Sequence, residues 1–165
     1  MKAKWMITNL QHDVKYHSKL LDIVKFMFDN FDDYDRYDYQ LVDWHIYERL
    51  LKDTKNYVIF GYVVRNQLVG FGILDISFQV VAYIWNIYVL PEYRGRGIGS
   101  QLKKELELQA GWLGYPIIAS ELRKDNGESN AMNDKAGWQK LRHKTSKDHQ
   151  WYYKYLHTSQ TRGIK

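Results

Sequence analysis

Tyr88-Val89-Leu90-Pro91-Glu92-Tyr93-Arg94-Gly95-Arg96-Gly97-Ile98-Gly99-Ser100 carries an apolar run through three glycines and two arginines into an amphipathic segment. The spacing predicts a strand, a tight turn and a helix that begins near Ile98. Glycine at 95, 97 and 99 lets successive backbone N–H groups converge without a Cβ in the way, and the helix adds the positive end of its dipole. Arg94 and Arg96 add formal charge. The stretch therefore reads as a cradle for a diphosphate.

Two familiar phosphate loops do not fit it. A P-loop requires Gly-Lys-Ser/Thr, and Gly99-Ser100 has no lysine between its residues. A dinucleotide fingerprint requires G-x-G-x-x-G in an early βαβ unit, and Gly95-Arg96-Gly97-Ile98-Gly99-Ser100 has the wrong third interval. What the chain has is Arg-x-x-Gly-x-Gly at 94–99 after a hydrophobic strand and Pro-Glu-Tyr. In this it resembles the GNAT superfamily of N-acetyltransferases, whose hallmark is Gln/Arg-x-x-Gly-x-Gly/Ala at a strand-to-helix junction that binds the pyrophosphate of acetyl-CoA. The resemblance implies that Arg94, Gly95, Arg96, Gly97, Ile98, Gly99 and Ser100 bind the coenzyme. It also implies that backbone groups of Ile87, Tyr88 and Val89 pair with its pantetheine arm.

The rest of the chain sets bounds on that reading. The length of 165 residues, 45% of them hydrophobic, suits one domain with a core, 1–165, with 156–165 as a frayed tail. No apolar run approaches a membrane span or a signal peptide, so a cytoplasmic protein is expected. Cysteine is absent, which excludes disulfides, thiolate metal ligands and a cysteinyl acyl intermediate. His143 and His149 flank a polar turn without a third ligand at useful spacing, so no metal is expected.

Helical periodicity runs through Leu20, Val24, Met27, Phe28 and Phe31, and again through Leu41, Val42, Ile46 and Leu50. Strands are expected near Met6, over Tyr57–Val64, Leu68–Ile76, Val80–Leu90 and Pro116–Leu122, then over Trp138–Lys144 and Gln150–Tyr155. Ile98, Leu102, Leu106 and Ala110 form the apolar face of the helix after the cradle, with Lys103, Lys104, Glu105 and Glu107 assigned outward. A short helix over Ser129–Ala136 ends at Gly137. This order is similar to the GNAT fold: α/β, a mixed, mostly antiparallel sheet flanked by helices, with a central V-shaped splay into which the coenzyme enters.

A second motif of the superfamily, Asn-x-x-Ala-x-x-x-Tyr-x-x-x-Gly-Phe, is matched in part. Asn126 takes the first place and is implied to bind coenzyme; Ser129 replaces Ala, Asn133 replaces Tyr, and Gly137-Trp138 stands for Gly-Phe. The gap falls at the chemistry. An alkylamine has a pKa of about 10.4 and must lose a proton before it attacks, while the departing thiol has a pKa of about 8.5 and gains from an acid. Glu121, ending a strand beside the splay, is the candidate base, with Asp75 as a second. An amide has no proton to give, so Asn133 is not an acid; Tyr152 is a candidate for that role, beside Tyr153, Ser129 or water.

Charge adds an acceptor. Residues 29–43 hold six aspartates against one arginine, and since the whole chain is +5 the remainder carries about +10. Within that segment Asp32, Asp33, Tyr34, Asp35 and Tyr37 are candidate substrate residues, carboxylates and rings suited to a cation. The acceptor expected is a primary amine on a small cationic molecule or a peptide, in a monomer or homodimer. An alternative stays open: a coenzyme-A-binding or catalytically weakened relative whose basic face, Lys140 to Lys165 with Trp151, Tyr153 and Tyr155 interleaved, engages nucleic acid or a partner protein.

Overall fold

A computed structural model describes residues 4–30, 45–142 and 147–157. One seven-stranded sheet runs through it, built from β1 (Trp5–Asn9), β2 (Tyr57–Val64), β3 (Gln67–Asp75), β4 (Val81–Val89), β5 (Ile117–Arg123), β6 (Gln139–Lys140) and β7 (His149–Tyr155), in the order β1-β2-β3-β4-β5-β7-β6. Every neighbouring pair is antiparallel except β4 with β5. The β2–β3 connection is a two-residue turn in which Arg65 and Asn66 both take positive φ, 49° and 64°. That turn matches the right-handed twist of the strands it joins. The extended strand expected over Trp138–Lys144 is only two residues long.

Helices cover the two faces unequally. α1 (His17–Asn30) and α2 (Ile46–Lys52) pack on one face, against Ile59, Val63, Phe71 and Ile73. On the other, α3 (Ile98–Trp112) lays Ile98, Leu102, Leu106 and Ala110 against Val58, Phe60, Leu74, Ala82 and Ile118. The apolar stripe predicted for α3 is the one buried. One outward assignment is overturned: Lys103 is 4% exposed. It precedes Leu106 by three positions and Ala110 by seven, so it sits at the rim of the stripe, and the final helix α4 (Gly127–Lys135) closes over it. α4 ends before Gly137, whose φ of 76° is the left-handed conformation of a helix stop.

Strand β3 contains glycine where β4 comes closest. A Cβ on Gly70 would stand 2.9 Å from the Tyr88 carbonyl oxygen and 3.3 Å from Val89 Cγ2. Gly70→Ala is therefore expected to push β4 outward, lowering stability by about 1–3 kcal/mol. It should also weaken coenzyme A binding, because Val89 borders the candidate site. Thermal melting with and without coenzyme A measures both effects; a variant with parental stability and parental ligand shift would contradict this packing.

Candidate functional site

The site begins where two parallel strands part. β4 and β5 are in register only from Val81↔Ile117 to Ile84↔Ser120. Beyond Ser120, β5 pairs with β7 alone. The cause lies on the other side of β4. There Leu74 faces Ile84 and Ile73 faces Asn86, so Trp85 is an extra residue, a β-bulge. Trp85 and Asn86 consequently both lie on the α1 face. The Trp85 ring is 5.5 Å from that of Tyr47, and Asn86 Nδ2 donates to the Tyr47 hydroxyl oxygen at 3.0 Å. A bulge bends the strand that carries it, and β4 leaves β5 here.

Past the bulge, alternation decides which backbone groups are open. Leu90 N–H bonds to Val69 O on β3, and the Tyr88 carbonyl also points at β3. The N–H and C=O of Ile87 and Val89 therefore face the gap toward β5. Arg94 Nε donates to Val89 O at 2.9 Å, so that carbonyl faces away from β3 and is engaged by the arginine. Of the three residues expected to pair with a pantetheine arm, Ile87 and Val89 offer backbone to the gap. Tyr88 instead turns its ring to the α1 face, 5.4 Å from the Arg94 guanidinium.

The Gly-rich turn has the geometry its sequence predicts. Gly95 and Gly97 take φ of 72° and 78°, where a side chain is strained. Gly97 is the N-cap of α3, and no side chain caps that end. The first N–H groups of a helix have no intrahelical acceptor, so those at Ile98, Gly99 and Ser100 are available. Nothing lies within 4 Å of a Cβ built on Gly95, whereas Gly99 faces Met132 of α4 at 3.8 Å and Val89 at 4.0 Å. The cradle thus opens beside β4 and leads between α3 and α4 into the splay. Its uncapped donors and two arginines fit the diphosphate of coenzyme A. Arg96 is braced by its bond to Glu92 O at 3.1 Å.

The two faces of the splay differ in chemistry. Ile118 and Leu122 pack on the α3 side, and Ser120 bonds to α4 there, so Ala119 and Glu121 point to the α1 face. Glu121 is the first residue past the vertex. It lies opposite Trp151, whose ring is 5.5 Å from Tyr83. The flanking cations are engaged elsewhere: Arg123 ion-pairs with Asp125, and Lys124 Nζ donates to Lys147 O at 3.2 Å. Asp75 caps its own turn by accepting from Ser77 N–H and Oγ at 2.8 and 2.6 Å. The acidic segment with Asp32, Asp33, Tyr34, Asp35 and Tyr37 lies outside the described residues.

On the α3 face sits a buried polar cluster. Lys103 Nζ donates to Asn133 Oδ1, and Asn133 Nδ2 reaches Ser120 Oγ at 3.5 Å. Asn133 is fully buried. The Lys103 ammonium lies 3.7 Å from the centre of the Trp138 ring. Trp138 Nε1 in turn donates to Glu107 Oε1, and Lys154 Nζ to Glu107 Oε2, both at 2.8 Å. Burial pulls the Lys103 pKa down to about 7, with Lys154 pulling the same way and Glu107 opposing. Tyr152, the candidate acid, is 1% exposed and donates its hydroxyl to Asn130 Oδ1 at 2.7 Å. Its proton is thus held inside the fold, and burial raises its pKa. Asn126 caps α4, accepting from Ser129 N–H at 3.2 Å.

Only part of the C-terminal basic run lies among the described residues. Tyr152 is buried, Lys154 is ion-paired with Glu107, and Lys144, Arg162 and Lys165 lie outside the described residues. Among the described residues no three His, Asp or Glu side chains converge as metal ligands, and no helix is long and apolar enough to cross a membrane.

Reading the sequence alone missed Lys103, Ser120 and Trp85. The rim position of Lys103 on α3 was a usable signal; nothing local marks the other two.

Comparison with known proteins agrees with this geometry. A model of the acetyltransferase (GNAT) family matches residues 19–138. The chain is 30% identical over 99 residues to an aminoglycoside N(6')-acetyltransferase type 1 from Acinetobacter genomosp. 13, spanning 55% of this chain and 68% of that one. Among solved structures, the PaiA N-acetyltransferase of Thermoplasma acidophilum in complex with coenzyme A matches at a TM-score of 0.77 and 16% identity, covering 93% of this chain and 99% of that one. The ribosomal-protein-S18-alanine N-acetyltransferase of Escherichia coli matches at 0.71 and 14%, covering 98% and 100%. At such identities the structural likeness speaks for the fold. The family match, which spans most of the chain and includes the cradle, the splay and α4, carries the assignment: the chain belongs to the acetyltransferase (GNAT) family and is an acetyl-CoA-dependent N-acetyltransferase.

Proposed function

We propose that the chain acetylates a primary amine borne by a small polycationic molecule, with the amine attacking directly while both substrates are bound. The observation that carries this reading is Glu121, the first side chain beyond the vertex, on the face where Trp85, Tyr83 and Trp151 gather. A carboxylate among aromatic faces attracts a cation and then removes its proton. The aminoglycoside acetyltransferase similar to this chain supports a polyamine-like acceptor over a protein N-terminus.

Acetyl-CoA, when bound, supplies the thioester carbonyl that the amine attacks and the thiol that leaves. Arg94, Arg96 and the N–H groups of Ile98, Gly99 and Ser100 hold the diphosphate. Ile87 and Val89 offer their backbone groups along the arm, as an added strand would require. The bulge at Trp85 opens the vertex, and Glu121 receives the ammonium proton from the α1 side.

Two outcomes follow. Acetyl-CoA at one hundred times its dissociation constant should raise the stability of the parent by about 2.7 kcal/mol. Arg94→Ala should reduce that shift, and Gly97→Glu, which puts a carboxylate on the diphosphate site, should abolish it; differential scanning fluorimetry decides. With a panel of aminoglycosides, polyamines and short peptides, thiol release should be fastest for the aminoglycosides and polyamines. Glu121→Gln should then lower kcat/KM by roughly 10²–10⁴-fold, most severely below the pKa of the amine. Unchanged kcat/KM from pH 6 to 9 would remove Glu121 from the mechanism.

A further inference from the structure

GNAT relatives commonly place a tyrosine where this chain has Asn133, and the Tyr152 hydroxyl is committed to Asn130. The leaving thiol therefore needs another proton source, and the α3 face of the vertex holds one. Ser120 is the last β5 residue paired with β4, so it marks the vertex. Asn133 reaches it from α4, and Lys103 reaches Asn133 from α3. An ammonium has three N–H donors. One goes to Asn133 Oδ1, and the Trp138 ring faces the cation. Among the described residues Lys103 forms no other hydrogen bond, and it is only 4% exposed. A buried ammonium with donor capacity to spare is costly unless something occupies the space beside it.

Resting on the acetyl-transfer reading above, we propose that Lys103 is a catalytic residue, the general acid that protonates the departing coenzyme A sulfur. As the new C–N bond forms, the C–S bond breaks and its electron pair stays on sulfur. The sulfur takes a proton from Lys103 Nζ, leaving a neutral amine. The acceptor ammonium gives one proton to Glu121 and on to water before it attacks, and its nitrogen gives a second to water as the amide forms; Lys103 regains one proton from water, so ammonium and thioester become amide, thiol and one released proton. Transfer from an ammonium of pKa about 7 to a thiolate whose conjugate acid has a pKa of about 8.5 runs downhill. Asn133, whose amide has no transferable proton, holds the ammonium in place through Oδ1. The charged groups facing Lys103 are Glu107 on its own helix and Lys154 on β7, while α4 and β5 present the neutral Asn133 and Ser120.

Lys103→Met removes the proton source and keeps the volume; Lys104→Met, at an exposed position of the same helix, is the control. The first readout needs no acceptor. Coenzyme A should bind the parent more tightly than its desulfo analogue does, through the Lys103–sulfur contact, and Lys103→Met should narrow that preference by about threefold or more in calorimetry. With a turned-over amine, Lys103→Met should lower kcat 10- to 100-fold, leave KM for acetyl-CoA unchanged and lose the fall in kcat above about pH 7. Lys104→Met should match the parent.

Folding is checked without ligand. Below about pH 7 Lys103 is charged in both folded and unfolded chains; between there and about 10.4 the unfolded chain holds the extra proton, so parental stability should rise with pH. Lys103→Met should lack that rise and melt no lower than the parent at pH 6. An unchanged preference for coenzyme A over its desulfo analogue together with an equal pH profile of kcat would overturn the role of Lys103 alone. Failure of the parent itself to bind coenzyme A would instead bring down the reading on which it rests.

Discussion

Two neighbouring strands that share only four residue pairs set the design of this molecule. A parallel pair would ordinarily satisfy its backbone groups along its whole length, because an open strand edge attracts other chains. Here the bulge at Trp85 breaks the pairing after Ile84↔Ser120 and turns the backbone groups of Ile87 and Val89 away from any neighbouring strand, with the Val89 carbonyl taken by Arg94 Nε. Tyr47 on α2 anchors the bulge through Asn86 and the Trp85 ring, so the helical layer on one face holds open the cleft used from the other.

The cleft separates two kinds of proton chemistry by the alternation of a single strand. Ser120 and Glu121 are adjacent, yet they point to opposite faces. Glu121 stands among aromatic rings on the α1 side, where an incoming cation would lose a proton. Ser120 joins Asn133 and Lys103 on the α3 side, where a leaving group would gain one. One peptide unit at the vertex keeps the two side chains apart.

Burying Lys103 costs stability, and the surrounding residues offset part of that cost. The Trp138 face and the Asn133 carbonyl replace some of the lost hydration, and Glu107 opposes the fall in pKa. A methionine would pack there without these partners, so the cost is consistent with a use for the charge. Glu107 is itself shared between Trp138 and Lys154, which ties α3 to β7 and the Gly137-Trp138 turn.

Much of the fold was legible because its signals are local. The β2–β3 hairpin, the buried stripe of α3, the helix stop at Gly137 and the cradle at 94–100 each depend on residues a few positions apart. Left-handed glycines and the free N–H groups of a helix start need no distant partner, so the sequence by itself determined the strand, turn and helix of 88–100 and the family to which the chain belongs. The vertex, the opposite facing of Ser120 and Glu121, the withdrawal of Tyr152 into a bond with Asn130 and the burial of Lys103 were decided only by the tertiary structure. Lys103 lies 30 residues from Asn133, and Asn133 lies 13 from Ser120. No local pattern encodes such contacts, because they arise when α3, α4 and β5 pack together and the resulting burial alters the chemistry of a lysine that reads, in sequence, as one more surface charge.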